Sequence, residues 1–230
     1  MVPNTKEEEK LWAEGYEFVA GLDEAGRGPL AGPVVAAVVL VVPQTKHTNK
    51  LEFVRVFSGM KDSKKLSQRQ REFFYKKLTN HKNIKWGVGI VSEKQIDKIN
   101  ILQATKLAMK KSIKNISRNS HGRRNWEKPD FIILDGNFKI NSKLPQKSII
   151  RADGKVFSCA AAGIIAKVTR DRIMKNLHKK YPHYGFDKHK GYGTKLHLKN
   201  LYALGPCKIH RKTFFPVSAL AQGLAKNEII

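Results

Sequence analysis

Nine consecutive apolar residues, 34–42 (Val-Val-Ala-Ala-Val-Val-Leu-Val-Val), constrain what this chain can fold into more than any other stretch. The run is too short to span a bilayer, which takes about 18 or more apolar residues, but it has the length of a buried strand. Apolar on both faces, such a strand belongs at the centre of a sheet covered on both sides. The elements around it supply the rest of that sheet. Residues 17–22 alternate as a strand, and 84–91, 130–134 and 148–151 read as three more. Ser67 is placed to cap a helix over 71–78, and residues 100–116 and 156–180 read as longer helices. The helices at 195–204 and 217–225 are shorter. Strands come first as hairpins and then alternate with helices. The expected fold is therefore α/β, a mixed sheet flanked by helices, ending in a C-terminal helical segment.

The chain has 230 residues, so one compact domain is expected. Residues 1–16 read as a charged N-terminal lead, 17–200 as the main domain, and 201–230 as a helical segment packed on it. Polar residues with mixed charge at the start are unlike a signal peptide. Cys159 and Cys207 form no Cys-x-x-Cys pair, which fits a reducing cytoplasm and gives no zinc site. Lys and Arg number 44 against 19 Asp and Glu, a formal charge of +25. Such an excess seeks a polyanion, and nucleic acid fits better than a membrane, because no long helix is basic on one face and apolar on the other.

Acids retained in so basic a protein call for a reason. Asp23-Glu24-Ala25-Gly26-Arg27-Gly28 puts two carboxylates where the first strand runs out into a glycine-rich turn. Asp135 ends another strand just before Gly136, and Asp171 lies on the long helix between Arg170 and Arg172. Strand ends in an α/β sheet gather side chains from distant parts of the chain into one crevice. A strand points Asp23 and Glu24 to opposite faces, so both serve one site only if the chain bends there. Four carboxylates together would carry about −4, which two divalent cations neutralise, the charge logic of a two-metal phosphodiesterase. Oxygen ligands without Cys or His select Mg²⁺ or Mn²⁺.

Gly26-Arg27-Gly28 offers closely spaced N–H groups and a guanidinium to an anion. Ser63, Lys64 and Lys65 precede a helix N-terminus, where a phosphate backbone can lie. Between Asp171 and Lys212, Lys and Arg are interleaved with Tyr, as in a groove where rings stack on bases or sugars. Lys190, Tyr192, His210 and Arg211 are the candidates there. His183, His189, His197 and His210 also crowd this region without metal-ligand spacing, and a solvated or phosphate-contacting role is expected of them.

Six stretches together resemble ribonuclease HII. They are residues 21–34, Asp62-Ser63-Lys64-Lys65-Leu66-Ser67, Leu134-Asp135-Gly136, 160–171, 189–194 and 210–214, covering about 17–218. The related ribonuclease HIII group usually has Asp-Glu-Val-Gly, a different turn and an extra N-terminal domain, so type HII is expected. The resemblance implies a ribonuclease H-like fold and cleavage of the RNA strand of RNA–DNA hybrids. It also implies incision 5′ of single ribonucleotides in duplex DNA, leaving 3′-hydroxyl and 5′-phosphate ends. Asp23, Glu24, Asp135 and Asp171 match the four metal-binding acids, with Mn²⁺ or Mg²⁺ as cofactor. Gly26, Arg27 and Gly28 match the turn that reads the ribose 2′-OH, the group that separates RNA from DNA. His210 or Tyr192 would be the residue that senses the junction. Gly163 stands where many members have Ser, and a packing effect alone is expected. A monomer is the default expectation.

Overall fold

The computed structural model describes residues 2–41, 56–116 and 128–222. The end of the apolar run, most of the polar stretch after it, the basic loop at 121–128 apart from Lys128, and the last residues of the chain lie outside them. Among these residues, five strands form one mixed sheet: β1 Val19–Ala25, β2 Val34–Val41, β3 Ile84–Val91, β4 Phe131–Asp135 and β5 Gln146–Ile149. Their order is β3-β2-β1-β4-β5. The first three strands pair antiparallel, and β4 and β5 join β1 in parallel. The two-faced apolar strand lies second from the edge, every residue buried.

Alternation along β2 separates two cores. Val35, Ala37, Val39 and Val41 pack with α2 (Gln68–Asn80) and α4 (Phe157–Lys180). Val34, Ala36, Val38 and Leu40 pack with α3 (Glu93–Lys114). Ser67 caps α2 in a reciprocal capping box with Gln70. Asn100, at φ 62°, divides α3 into two helices and opens the second as expected, its side chain accepting the Gln103 N–H. The apolar, small-residue start of α4 lies close on β1, where any side chain at Gly21 would run into the backbone of Ser158 and Cys159.

The first residues are tied into the fold. In α1 (Lys6–Ala13), Glu8 is fully buried and its carboxylate accepts the Ser158 N–H at 2.8 Å. Asn4 accepts the Phe157 N–H at 3.0 Å. Two N–H groups at the start of α4, which the helix itself leaves without partners, are thus satisfied from the far end of the sequence. Short helices α5 (Phe186–His189), α6 (Lys195–Leu204) and α7 (Val217–Ala221) follow α4. Among the described residues, no helix is long and apolar enough to cross a membrane.

Candidate active site

β1 runs three residues further than its alternation predicts, because antiparallel pairing with β2 continues to Ala25 opposite Val35. Asp23 and Glu24 therefore lie within the strand, and no bend comes between them. On the other side, β1 and β4 stay in parallel register through Leu22 and Leu134. One step on, Asp23 and Asp135 stand side by side at the carboxyl ends of the two central strands, the place where α/β sheets build sites. Both point to the α4 face. A third acid, Asp153, comes from the helical turn Ala152–Gly154 that leads into α4. One carboxylate oxygen from each of Asp23, Asp135 and Asp153 lies within 4.8 Å of the others.

The chemistry of this triad is that of a cation site. Burial, then Glu24 and then Asp135, hold the Asp23 carboxyl well above the ordinary range. Burial and Asp153 raise Asp135. Such groups ionise together only beside positive charge. Partial neutralisation is built in: Asp23 accepts the Glu24 N–H at 2.7 Å, and Asp135 accepts the Ala152 N–H at 2.7 Å. The Lys64 ammonium is 3.4 Å from Asp153. Burial lowers Lys64, but Asp153, Asp23 and Asp62 raise it overall. Glu24 leaves the strand on the opposite face by alternation, yet near the strand end its carboxylate still couples to Asp23, Asp135 and Lys64, close enough to share their site. Burial raises it while Arg27, 3.4 Å away, opposes the rise, and its Oε2 is buried with no hydrogen-bond partner. Carboxylate oxygens alone, one of them orphaned, fit Mg²⁺ or Mn²⁺.

Asp171 is not brought into this triad. It lies eight residues past Gly163, the α4 position against Asp23, which is about 12 Å along a helix. Its carboxylate accepts from Lys167 at 2.7 Å, the helical ion pair expected at that spacing. Asp153 was missed because Ala-Asp-Gly reads as a turn. Its one available signal was an acid directly before the long helix. At Gly163 the packing effect falls on the acid cluster itself: a Cβ there would sit 2.3 Å from Asp23 Oδ2.

The Gly-Arg-Gly turn is held from beneath by two arginines with no exposed surface. Arg170 donates to the carbonyls of Pro33 at 2.9 Å, Lys190 at 3.0 Å and Ala31 at 3.1 Å. Arg211 donates to Gly32 at 3.0 Å, Arg27 at 2.8 Å and Gly26 at 2.6 Å. Gly26, at φ 99°, leaves no room for a Cβ because the Arg170 side chain lies 2.1 Å from that point. Burial and the neighbouring Arg170 lower Arg211 to about 9, still charged at neutral pH. With its carbonyls turned inward, the turn presents the exposed Arg27 and Gly28 to solvent. Arg27 lies 5.8 Å from the Phe138 ring.

The remaining candidates divide by exposure. Lys64 and Lys65 are exposed, whereas Ser63 is buried with its carbonyl on Arg71 at 2.9 Å. Arg211 is structural, because its donors are spent on backbone carbonyls. His210, 1% exposed, is enclosed among His197, Cys207 and Tyr184 and reaches no substrate surface. The crowded histidines are likewise not solvated: His189 and His197 are buried with it, and His183 alone of the four is exposed. Lys190 is half-buried, its ammonium on the carbonyls of Asp187 and Lys188. Tyr192 remains exposed at 41%, its ring 5.8 Å from the Lys167 ammonium and 5.7 Å from the Arg170 guanidinium.

A buried oxygen-ligand cluster at the ends of the central strands of this mixed sheet, opening beside a cationic turn, defines a metal-dependent nuclease with the ribonuclease H fold. Comparison with known proteins makes the class specific. The ribonuclease HII family model matches residues 20–217. Ribonuclease HII of Chlamydia caviae is 48% identical over 210 residues, 91% of this chain and 90% of that protein. The crystal structure of ribonuclease H2 from Pyrococcus horikoshii is similar with a TM-score of 0.64 and 28% identity, covering 90% of this chain and 98% of that one. The Archaeoglobus fulgidus ribonuclease HII, solved in complex with PCNA, has a TM-score of 0.64 and 27% identity, covering 86% of this chain and 95% of that one. The chain belongs to the ribonuclease HII family.

Proposed function

We propose that this protein incises duplex DNA 5′ of a lone ribonucleotide and cuts the RNA strand of RNA–DNA hybrids, using two divalent cations held by Asp23, Glu24, Asp135 and Asp153. The observation that carries the reading is the three-acid group beside the Gly-Arg-Gly turn. When bound, the cations supply an activated water and stabilise the leaving 3′ oxygen, giving 3′-hydroxyl and 5′-phosphate ends. The residues do the rest. Asp135 is aimed by the Ala152 N–H and Asp23 by the Glu24 N–H. Lys64 stands over Asp153, where it can meet a phosphate oxygen once cations replace it as the counter-charge. Arg27 and Gly28 face the ribose 2′-OH, and the Tyr192 ring stacks on the sugar or base beside it.

The test is a duplex carrying one ribonucleotide, incubated with Mg²⁺, with Mn²⁺ and with EDTA. A single nick 5′ of the ribonucleotide, dependent on metal, is expected. Binding of the duplex without any metal-dependent nick would identify a nucleic-acid-binding module and overturn the nuclease reading for this substrate. Affinity should fall steeply with salt as phosphate contacts release counterions.

A further inference from the structure

Beneath Tyr192 lies a group of buried histidines whose hydrogen bonds have one consistent direction. The Cys207 N–H donates to His210 Nδ1 at 2.9 Å, so a neutral His210 carries its proton on Nε2. That nitrogen is 3.1 Å from His197 Nε2, which must then accept. His197 in turn carries its proton on Nδ1, 2.9 Å from the Tyr192 carbonyl. His189 closes the other side. Its Nδ1 accepts the Gly191 N–H at 3.2 Å, its Nε2 donates to the Tyr184 carbonyl at 2.8 Å, and its ring stacks on His197 at 4.3 Å. Each imidazole nitrogen thus has a partner and each tautomer is set by its neighbour.

Burial keeps the rings neutral. Desolvation, then the neighbouring histidines, lower both His197 and His210 to about 4. The titratable groups facing the pair are His189, Tyr184 and Cys207. The loop above is joined to the ribose-facing turn, since Leu30 N–H donates to Gly191 O at 2.8 Å and Arg170 to Lys190 O at 3.0 Å.

We propose that Cys207, His210 and His197 form a directional relay that fixes the Tyr192 backbone, so that its ring meets the ribonucleotide–DNA junction in register with the Gly-Arg-Gly turn. His197 and His210 are positioning residues for substrate discrimination. The role rests on the stacking assigned to Tyr192 above; the direction of the relay does not.

Two measurements decide it. NMR of the full chain with ¹⁵N-labelled histidine should find His197 protonated at Nδ1 and His210 at Nε2 near neutral pH. The opposite tautomer at either ring overturns the relay. The second measurement is kinetic. His197→Asn keeps a donor where Nδ1 stood, whereas His197→Gln imitates only the Nε2 end. On the one-ribonucleotide duplex, kcat/KM should fall about tenfold or more for His197→Gln and less than about threefold for His197→Asn. In a Tyr192→Ala background, His197→Gln should cost nothing further, because residues acting through one contact are not additive. Equal losses for Asn and Gln, or an undiminished Gln loss in that background, overturns the proposal. Wild-type kinetics in Tyr192→Ala would overturn the stacking role while leaving the metal-dependent nuclease intact. If the wild type itself does not cut, the nuclease reading falls with the stacking role, and the tautomers still decide whether the relay exists.

Discussion

Two groups of buried charge lie side by side in this protein and are treated in opposite ways. Arg170 and Arg211 spend their donors on six inward carbonyls. Asp23, Asp135 and Asp153 crowd within 4.8 Å of one another with the Lys64 ammonium beside Asp153, and Glu24 leaves a buried oxygen unpartnered. Burial alone therefore says little about role. Charge that is buried and satisfied holds a backbone in shape, while charge that is buried and under-compensated marks the place where something else must bind.

The contrast predicts opposite responses to mutation. Removing an acid should abolish chemistry and spare the fold. Asp135→Ala, or Asp153→Asn, should lower kcat by about 10³-fold or more, the several kcal/mol a cation site contributes, with hybrid binding still measurable. Near-normal turnover in either would break the assignment. Removing an arginine should do the reverse. Arg211→Met strands the carbonyls of Gly26, Arg27 and Gly32, costing about 2–4 kcal/mol in urea denaturation. An unchanged midpoint would show that the frame is redundant.

Metal should then stabilise the acid side alone. Saturating Mn²⁺ at a hundred times its Kd adds about 2.7 kcal/mol to the wild type. Asp153→Asn should lose most of that gain and Asp171→Asn should keep it, and the converse would restore Asp171 as the ligand. The pH dependence has a definite sign. The folded pKa of Asp23 lies above its unfolded value, so between the two the native state holds a proton that the unfolded chain has lost, and stability falls as pH rises through that window. Asp23→Asn removes the effect. In EDTA, its stability margin over the wild type should widen from pH 4 upward, and a flat margin would mean that Asp23 is not held up by burial. The smallest expected effect is at Gly163→Ala. The added methyl must move the Asp23 carboxylate and should weaken Mn²⁺ binding by roughly threefold to tenfold, about 1 kcal/mol of misfit, measured by calorimetry.

Much of the fold was legible in local pattern. The two-faced run at 34–42 required a central, covered strand, and the Ser67 capping signal and the helix start at Asn100 were local chemistry. Asp23 and Asp135 were legible because strand ends are visible in sequence and parallel register aligns them. Asp153 was not, since its position depends on how the turn before α4 packs against β4 and against β1, made much earlier in the chain. For Asp171, a charged motif says nothing of the roughly 12 Å of helix between it and Gly163, the position against Asp23. Arg211 and His210 belong to residue types that are usually exposed, and only tertiary hydrogen bonding reveals that they face inward.

The cap on α4 bears on how the molecule is made. Glu8 and Asn4 leave the ribosome early, yet Glu8 meets Ser158 across 150 positions. Strand β1, with two of the acids, must likewise wait for β4. Vectorial synthesis therefore yields a nascent chain with half of the acid cluster, and the site closes only when α4 emerges. Until then the ribosome holds no nuclease, only its parts.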